Sequence, residues 1–175
     1  TVLSDSTTYI SMNKNLDLIK SDHYVIGYEW NITDKTRLKS EIYYQYIRNA
    51  GVYGGKNPNF MNYSILNEGA GFGINAPDTV INGGTGKNYG IELTLERFIS
   101  RGFYYLITGS LYDSKYKAYD GSEHSTVFNG RYAGNLLLGK EFLLNPEKAK
   151  AGKKQRILFI DLKTSYTGGK RYTPL

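Results

Sequence analysis

The sequence predicts an all-β chain, an antiparallel meander of about six long strands that forms a segment of a transmembrane β-barrel. Three observations predict it. Tyrosine and glycine dominate, with 17 Tyr and 20 Gly beside only 4 Pro, a balance that favours strands joined by turns over helices. Six segments, at 23–32, 36–48, 88–99, 103–114, 132–144 and 156–167, alternate in polarity with period two. Each is also long: globular strands run about 5–6 residues, whereas a tilted strand crossing a bilayer needs about 9–11.

Successive side chains of a strand point to opposite faces, so each segment divides by parity. The first places Tyr24, Ile26, Tyr28, Trp30 and Ile32 on one face and Glu29 on the other. In the second, Leu38, Ile42, Tyr44 and Tyr46 oppose Arg37, Lys39, Glu41 and Gln45. Tyr89, Ile91, Leu93, Leu95 and Ile99 of the third oppose Glu92, Thr94 and Glu96. The fourth sets Phe103, Tyr105, Ile107 and Leu111 against Thr108 and Ser110. The fifth sets Tyr132, Leu136, Leu138 and Phe142 against Asn135 and Glu141, and the sixth Leu158, Ile160, Leu162 and Tyr166 against Asp161 and Lys163. Scattered apolar residues interrupt the polar face.

Charges enter the apolar face only at Arg48, Arg97, Asp113, Lys140 and Arg156, towards the ends of their segments. A basic group facing lipid costs about 2–4 kcal/mol at the midplane and about 0–1 near an interface, so end positions are where a membrane strand tolerates it. Trp30, Tyr46, Tyr89, Tyr132 and Tyr166 also sit towards segment ends, where amphipathic rings suit the headgroup level. The connections alternate as well. Thr33-Asp34-Lys35 and Ser100-Arg101-Gly102 are tight, while 49–87 and 115–131 are long and rich in Gly, Asn, Ser and Tyr, as outer loops of a membrane barrel are. The connection 145–155 is Lys-rich and rather long for its place on the tight-turn side, and reads as a solvated turn.

Composition and motifs exclude several chemistries. The chain has 175 residues, enough for one unit, and without cysteine it holds no thiolate metal site, Cys nucleophile or disulfide. A net charge of +6 and a pI near 9.3 are spread along the chain rather than clustered, so nucleic acid is not an expected partner. No run reaches the roughly 20 apolar residues of a membrane helix. Residues 1–20 lack the form of a signal peptide, and the missing initiator Met favours a mature chain or a fragment.

Gly83-Gly84-Thr85-Gly86-Lys87 resembles a phosphate loop only superficially, because Ile81 and Asn88 occupy the positions that need Gly and Ser or Thr. The run Gly69-Ala70-Gly71-Phe72-Gly73 lies in a long loop without a βαβ context. Glycine in both reads as turn and positive-φ chemistry. His23 and His124 stand apart from any metal-ligand spacing, and Asp113, Asp120 and Glu123 read as a solvated loop sooner than a cation site. No Gly-x-Ser-x-Gly elbow occurs. Glu92 and Glu96 lie roughly 13 Å apart along a strand, too far for a glycosidase pair. No enzyme, metal or cofactor is expected.

Longer stretches resemble the barrel of TonB-dependent outer-membrane receptors, in the version found in Bacteroides-like bacteria. The stretches are Ser21-Asp22-His23-Tyr24-Val25-Ile26-Gly27-Tyr28-Glu29-Trp30, Arg37-Leu38-Lys39-Ser40-Glu41-Ile42-Tyr43-Tyr44-Gln45 and Gly86-Lys87-Asn88-Tyr89-Gly90-Ile91-Glu92-Leu93-Thr94-Leu95-Glu96. Asp113-Ser114-Lys115-Tyr116, Phe128-Asn129-Gly130 and Gly168-Gly169-Lys170-Arg171-Tyr172 extend the likeness over about residues 21–175. The resemblance implies a late part of such a barrel, in the bacterial outer membrane, of a receptor that actively imports a nutrient. It further implies lipid around the wall and an N-terminal plug, absent from this sequence, that reaches the TonB energy-transducing complex. The chain stops at Pro174-Leu175 without the terminal aromatic strand of such barrels, and six strands fall short of the roughly eight at which single-chain barrels begin. A fragment is expected. Tyr53, Phe60, Tyr63 and Phe72 are the candidate substrate contacts in the outer loops. Two rival readings are a soluble all-β ligand-binding module, whose core would be the apolar face, and a passive porin-like channel without a plug.

Overall fold

The computed structural model describes residues 2–5, 8–10, 12–68, 76–147 and 154–169. The chain is all-β and antiparallel, as its alternation predicts. A small hairpin of β1 (Val2–Asp5) and β2 (Thr8–Ile10) precedes the main sheet. That sheet contains β3 (Lys20–Thr33), β4 (Thr36–Val52), β5 (Ile81–Ser100), β6 (Phe103–Lys117), β7 (Glu123–Ser125), β8 (Tyr132–Leu143) and β9 (Ile157–Thr167). Its six long strands lie in sequence order, β3-β4-β5-β6-β8-β9, and β7 folds back on the end of β6. Among the described residues the sheet is open, with β3 and β9 as its edges.

The tight turns hold two residues each. Thr33 pairs with Thr36, and Ser100 pairs with Phe103 across Arg101 and Gly102, whose φ values of 53° and 71° give the primed turn that matches the twist of a hairpin. At the β8–β9 end Asn145 joins the two sides: its Nδ2 donates to Lys154 O at 3.0 Å and its Oδ1 accepts from Arg156 N at 2.8 Å.

The opposite ends correct two predicted loops. β4 continues to Val52 and β5 begins at Ile81, so the loop expected at 49–87 narrows to 53–80. β6 runs to Lys117 and pairs with β7, so 115–131 is partly strand. The glycine-rich start of β5 conceals this in the sequence because it has no apolar alternation. None of Gly83, Gly84 and Gly86 has positive φ. Gly84 lies so close to Val52 that an added Cβ would come 2.5 Å from Val52 Cγ1, so close approach, not turn chemistry, is what requires glycine there.

Register joins the separate parity patterns into single faces. Ile26, Ile42, Ile91, Leu111 and Tyr132 are successive cross-strand partners, and two residues further along, so are Tyr28, Ser40, Leu93, Gly109, Gly134 and Tyr166. This apolar face is uncovered: Ile26 is 78%, Leu111 63% and Tyr166 72% exposed. The polar face is equally continuous, with Glu29, Lys39, Thr94, Thr108, Asn135 and Ser165 in one row.

The boundaries of the apolar face run diagonally across the register. On β3 its outermost tyrosine, Tyr24, lies opposite Tyr44 and below Tyr46, so the diagonal begins at β4; from there the outermost tyrosines are Tyr46 on β4, Tyr89 on β5, Tyr132 on β8 and Tyr166 on β9. Each lies two residues lower than the one before, giving a descent of six residues over four strand steps. At the other boundary, Arg97 on β5 gives way to Lys140 on β8, two residues lower over two steps.

The few buried side chains sit outside the wall proper. Ala50, Val52, Ser64, Tyr116, Ala118, Thr126 and Asn129 are buried where the long connections fold over the ends of β4, β5 and β6; Thr36, at a hairpin turn, is the exception.

Candidate functional site

The long connections and the upper part of the polar face form the candidate site. Residues 53–68 carry two short 3-10 turns, Pro58–Phe60 capped by Asn57 and Ile65–Asn67 capped by Ser64. Asn67 links this loop to the other. Its Nδ2 donates to Tyr116 Oη at 3.5 Å and its Oδ1 accepts from Val127 N at 2.7 Å, while Tyr116 Oη donates to Asn62 O at 3.0 Å. The two loops therefore form one cap over the end of the sheet. Residues 13–18 brace it through Asn13, which bonds Asp78 O and Val80 N, and through Asp17, which exchanges two bonds with the Asn82 amide.

The structure uses the predicted loop aromatics internally. Tyr53 and Phe60 pack edge to face with ring centres 5.5 Å apart, and Tyr53 Oη accepts from Asn57 N at 3.2 Å. Tyr63 Oη donates to Glu68 Oε1. Burial first, and this bond second, hold the Tyr63 phenol well above the usual tyrosine range. Phe72 lies outside the described residues. Tyr53, Phe60 and Tyr63 thus take part in the loop's own packing and bonding.

The acidic residues 113, 120 and 123 separate. Lys115 Nζ stands between Asp113 and Glu123, at 3.5 and 3.1 Å, and Asn129 and Tyr89 also donate to Asp113. The bond to Lys115 draws the Glu123 carboxyl below its ordinary range. Asp120 turns away to accept from Ser122 N at 2.9 Å. No group of three metal-ligating side chains occurs among the described residues.

Two adjoining recesses of about 320 and 420 Å3 lie on the polar face under the cap, and both are lined by Tyr43 and Asn88. The nearer is walled by Leu66 and Phe128 of the loops and by Tyr112; the farther by His23, Gln45, Glu41 and Glu92. Tyr43 lies across Gly90, its cross-strand partner, where a Cβ would come 2.8 Å from the phenol oxygen. Side chains join across four strands: Thr126 Oγ1 donates to Ser114 Oγ (2.8 Å), Ser114 Oγ to Asn88 Oδ1 (2.6 Å), Asn88 Nδ2 to Gln45 Oε1 (2.7 Å) and Gln45 Nε2 to Ser21 Oγ (3.0 Å). All four donate in the same sense, an order in which each bond polarises the next.

Sequence reading placed Glu41, Gln45 and Glu92 on the polar face without nominating them as a site, and left Tyr43, Asn88 and Tyr112 unused. Parity alone was the available signal; only register sets Gln45 beside Asn88 and Asn88 beside Ser114. Elsewhere on this face the charges pair. Arg37 bonds Glu96 at 2.6 Å and Glu29 at 3.4 Å, and Lys39 bonds Glu41 at 2.8 Å. Comparison of the chain with family models, curated proteins and solved structures finds no match.

Proposed function

We propose that this sheet is a wall segment of an outer-membrane β-barrel, belonging to a TonB-dependent receptor that imports a nutrient. The observation that carries the membrane part is the diagonal of the apolar face. Six residues at about 3.3 Å each against four strand spacings of about 4.8 Å give a slope of roughly 45°. The lower boundary gives roughly 35° by the same spacings. Strands of membrane barrels tilt by about 35–45°, so a flat pair of interfaces drawn across tilted strands predicts this stagger. A soluble sheet packed on a core has no reason to stagger its aromatic and charged boundaries together. The band on β5 from Tyr89 to Arg97 measures about 26 Å along the strand, or about 20 Å upright, close to the roughly 25 Å of an outer-membrane barrel.

The charges at the upper rim support the same reading. Arg48 Nη2 meets Asp22 Oδ2 at 2.5 Å and its guanidinium lies 6.0 Å from the Tyr46 ring. A paired charge beside an aromatic ring suits a headgroup boundary.

The receptor part rests on the sequence resemblance alone. In that reading the apolar face meets lipid, the polar face lines the lumen, and the cap meets the outside. The test is the full open reading frame expressed in a Gram-negative host. The protein is expected in the outer-membrane fraction, with a plug domain encoded upstream of Thr1. Recovery in the soluble fraction overturns the membrane reading, and outer-membrane recovery without a plug leaves a passive channel.

A further inference from the structure

The two recesses under the cap differ in chemistry from the rest of the polar face. Below them every described arginine and lysine of β4 that faces this side has a carboxylate partner, as Arg37 and Lys39 show. The residues lining the recesses include three carboxylates, Asp113, Glu41 and Glu92, and one lysine, Lys115. Glu41 and Glu92 are direct cross-strand partners, and Glu92 has no ion-pair partner among the described residues. The one lysine at the border, Lys115, is already held between Asp113 and Glu123. Lys39 holds Glu41, so the unpaired carboxylate at the recesses is Glu92, and its field opposes an entering anion.

What the floor offers instead is hydrogen bonding to neutral groups. Each amide of the ordered chain spends one N–H and one carbonyl lone pair on its neighbours. Asn88 and Gln45 therefore each keep a second N–H and a second lone pair to present to a ligand. Both presentations are fixed, because the chain from Thr126 to Ser21 orients each amide from both sides. Beside these donors stand flat or apolar surfaces, Tyr43 and Tyr112 from the wall and Leu66 and Phe128 from the cap. Oriented polar groups beside apolar surfaces in a cleft of 300–1,000 Å3 are a usual form of a small-molecule site.

We infer that this recess binds an uncharged ligand that presents neighbouring donor and acceptor groups, hydroxyl or amide, on an otherwise apolar face, and that it discriminates against anions. The inference rests on the reading of the polar face as the lumen. Asn88 is its central contact, since it lines both recesses and stands in the middle of the hydrogen-bonded chain.

The test uses the full-length protein in detergent, titrated calorimetrically at low salt with four probes. Maltotriose carries neutral hydroxyls, N-acetyl-trialanine amide carries neutral amides, citrate is the anion and spermidine the cation. One of the two neutral probes is expected to bind, which also separates the two sources of the same chemistry. Asn88→Leu is expected to weaken that probe about tenfold, the worth of one or two neutral hydrogen bonds. Asn88→Asp, which keeps the shape and reverses the donor, is expected to weaken it similarly while preserving the fold, whereas Lys163→Gln, on β9 and outside both recesses, leaves it within about twofold. Binding of citrate or spermidine more tightly than both neutral probes overturns the inference. So does failure of both neutral probes at millimolar concentration, or an Asn88→Asp variant with unchanged affinity. Incorporation into vesicles is measured in parallel. If the protein incorporates and the neutral probes fail, only the ligand inference falls; if it does not incorporate, the membrane reading falls with it.

Discussion

The wall and the cap of this molecule are built on opposite principles. In the cap, side chains as small as Ala50 and Ser64 are buried, loops are fastened by side-chain to backbone bonds, and a polar group such as Asn129 sits inside. This is the economy of a water-soluble protein, where apolar surface is removed from solvent and buried polar atoms find partners. The wall has long ladders and no core. Its large residues stand outward, Trp30 and Ile160 both more than half exposed, and hydrogen bonds to the neighbouring strands fix its geometry. The contrast teaches that the described residues leave the wall's apolar surface open, while the cap covers its own.

The sharpest way to break that contrast is a charge in the middle of the apolar face. Leu93 lies midway between Tyr89 and Arg97 on β5, and Leu93→Arg is expected to destabilise the vesicle-incorporated full-length protein by about 2–4 kcal/mol. Its neighbour on the other face, Thr94→Arg, should change stability by less than about 0.5 kcal/mol. Denaturant unfolding of both variants measures the difference, and equal effects would sink the assignment of the two faces.

Within the cap, Gly84→Ala drives a methyl against Val52 and should cost about 1–3 kcal/mol by overpacking. Hydrogen exchange is expected to quicken at the ends of β4 and β5 and to stay unchanged around Leu93; acceleration along the whole wall would mean that cap and wall are not separate units. A gentler change, Tyr116→Phe, removes the donor to Asn62 O and the acceptor for Asn67 at about 0.5–1.5 kcal/mol. Because Tyr116 joins both loops, limited proteolysis should then cleave 53–68 and 118–131 at similarly increased rates. Cleavage of one loop alone would separate them.

Titration gives the smallest effects, and the cap supplies them at both ends of the pH scale. The raised Tyr63 pKa stabilises the fold fully below the unfolded tyrosine value of about 10 and is lost as pH rises through the higher folded value. Tyr63→Phe should therefore delete a late-titrating phenol from the alkaline absorbance curve at 295 nm and leave the earlier ones in place. Glu123, held low by Lys115, acts in the opposite direction. Its contribution is present above the unfolded value of about 4.3 and lost as pH falls through the depressed folded value. Glu123→Gln should accordingly flatten the acid limb of cap exchange rates without altering the neutral range.

How much was legible in advance follows the same division. Period-two alternation placed all six long strands, and parity assigned their faces correctly from Tyr24 to Tyr166, because a strand's side chains take sides by covalent geometry alone. The outer ends of β4 and β5 were missed because Asn82, Gly83, Gly84 and Gly86 carry no apolar signal; their pairing is a backbone matter permitted by small size. The contacts of the loop aromatics were not legible. Tyr53 and Phe60 found each other, and Tyr63 found Glu68, at separations a linear reading does not rank.

The amino-acid sequence by itself determined that this protein is a series of long two-faced strands with charges confined to the ends of the apolar face. Those properties are local, set by alternation and by the cost of placing charge on an apolar surface. Only the tertiary structure decided which residues share a row. The diagonal from Tyr46 to Tyr166 and the chain from Thr126 through Asn88 to Ser21 exist because register brings together residues up to about 120 positions apart. Register is a property of strand pairs, fixed by turns and by the packing of whole faces.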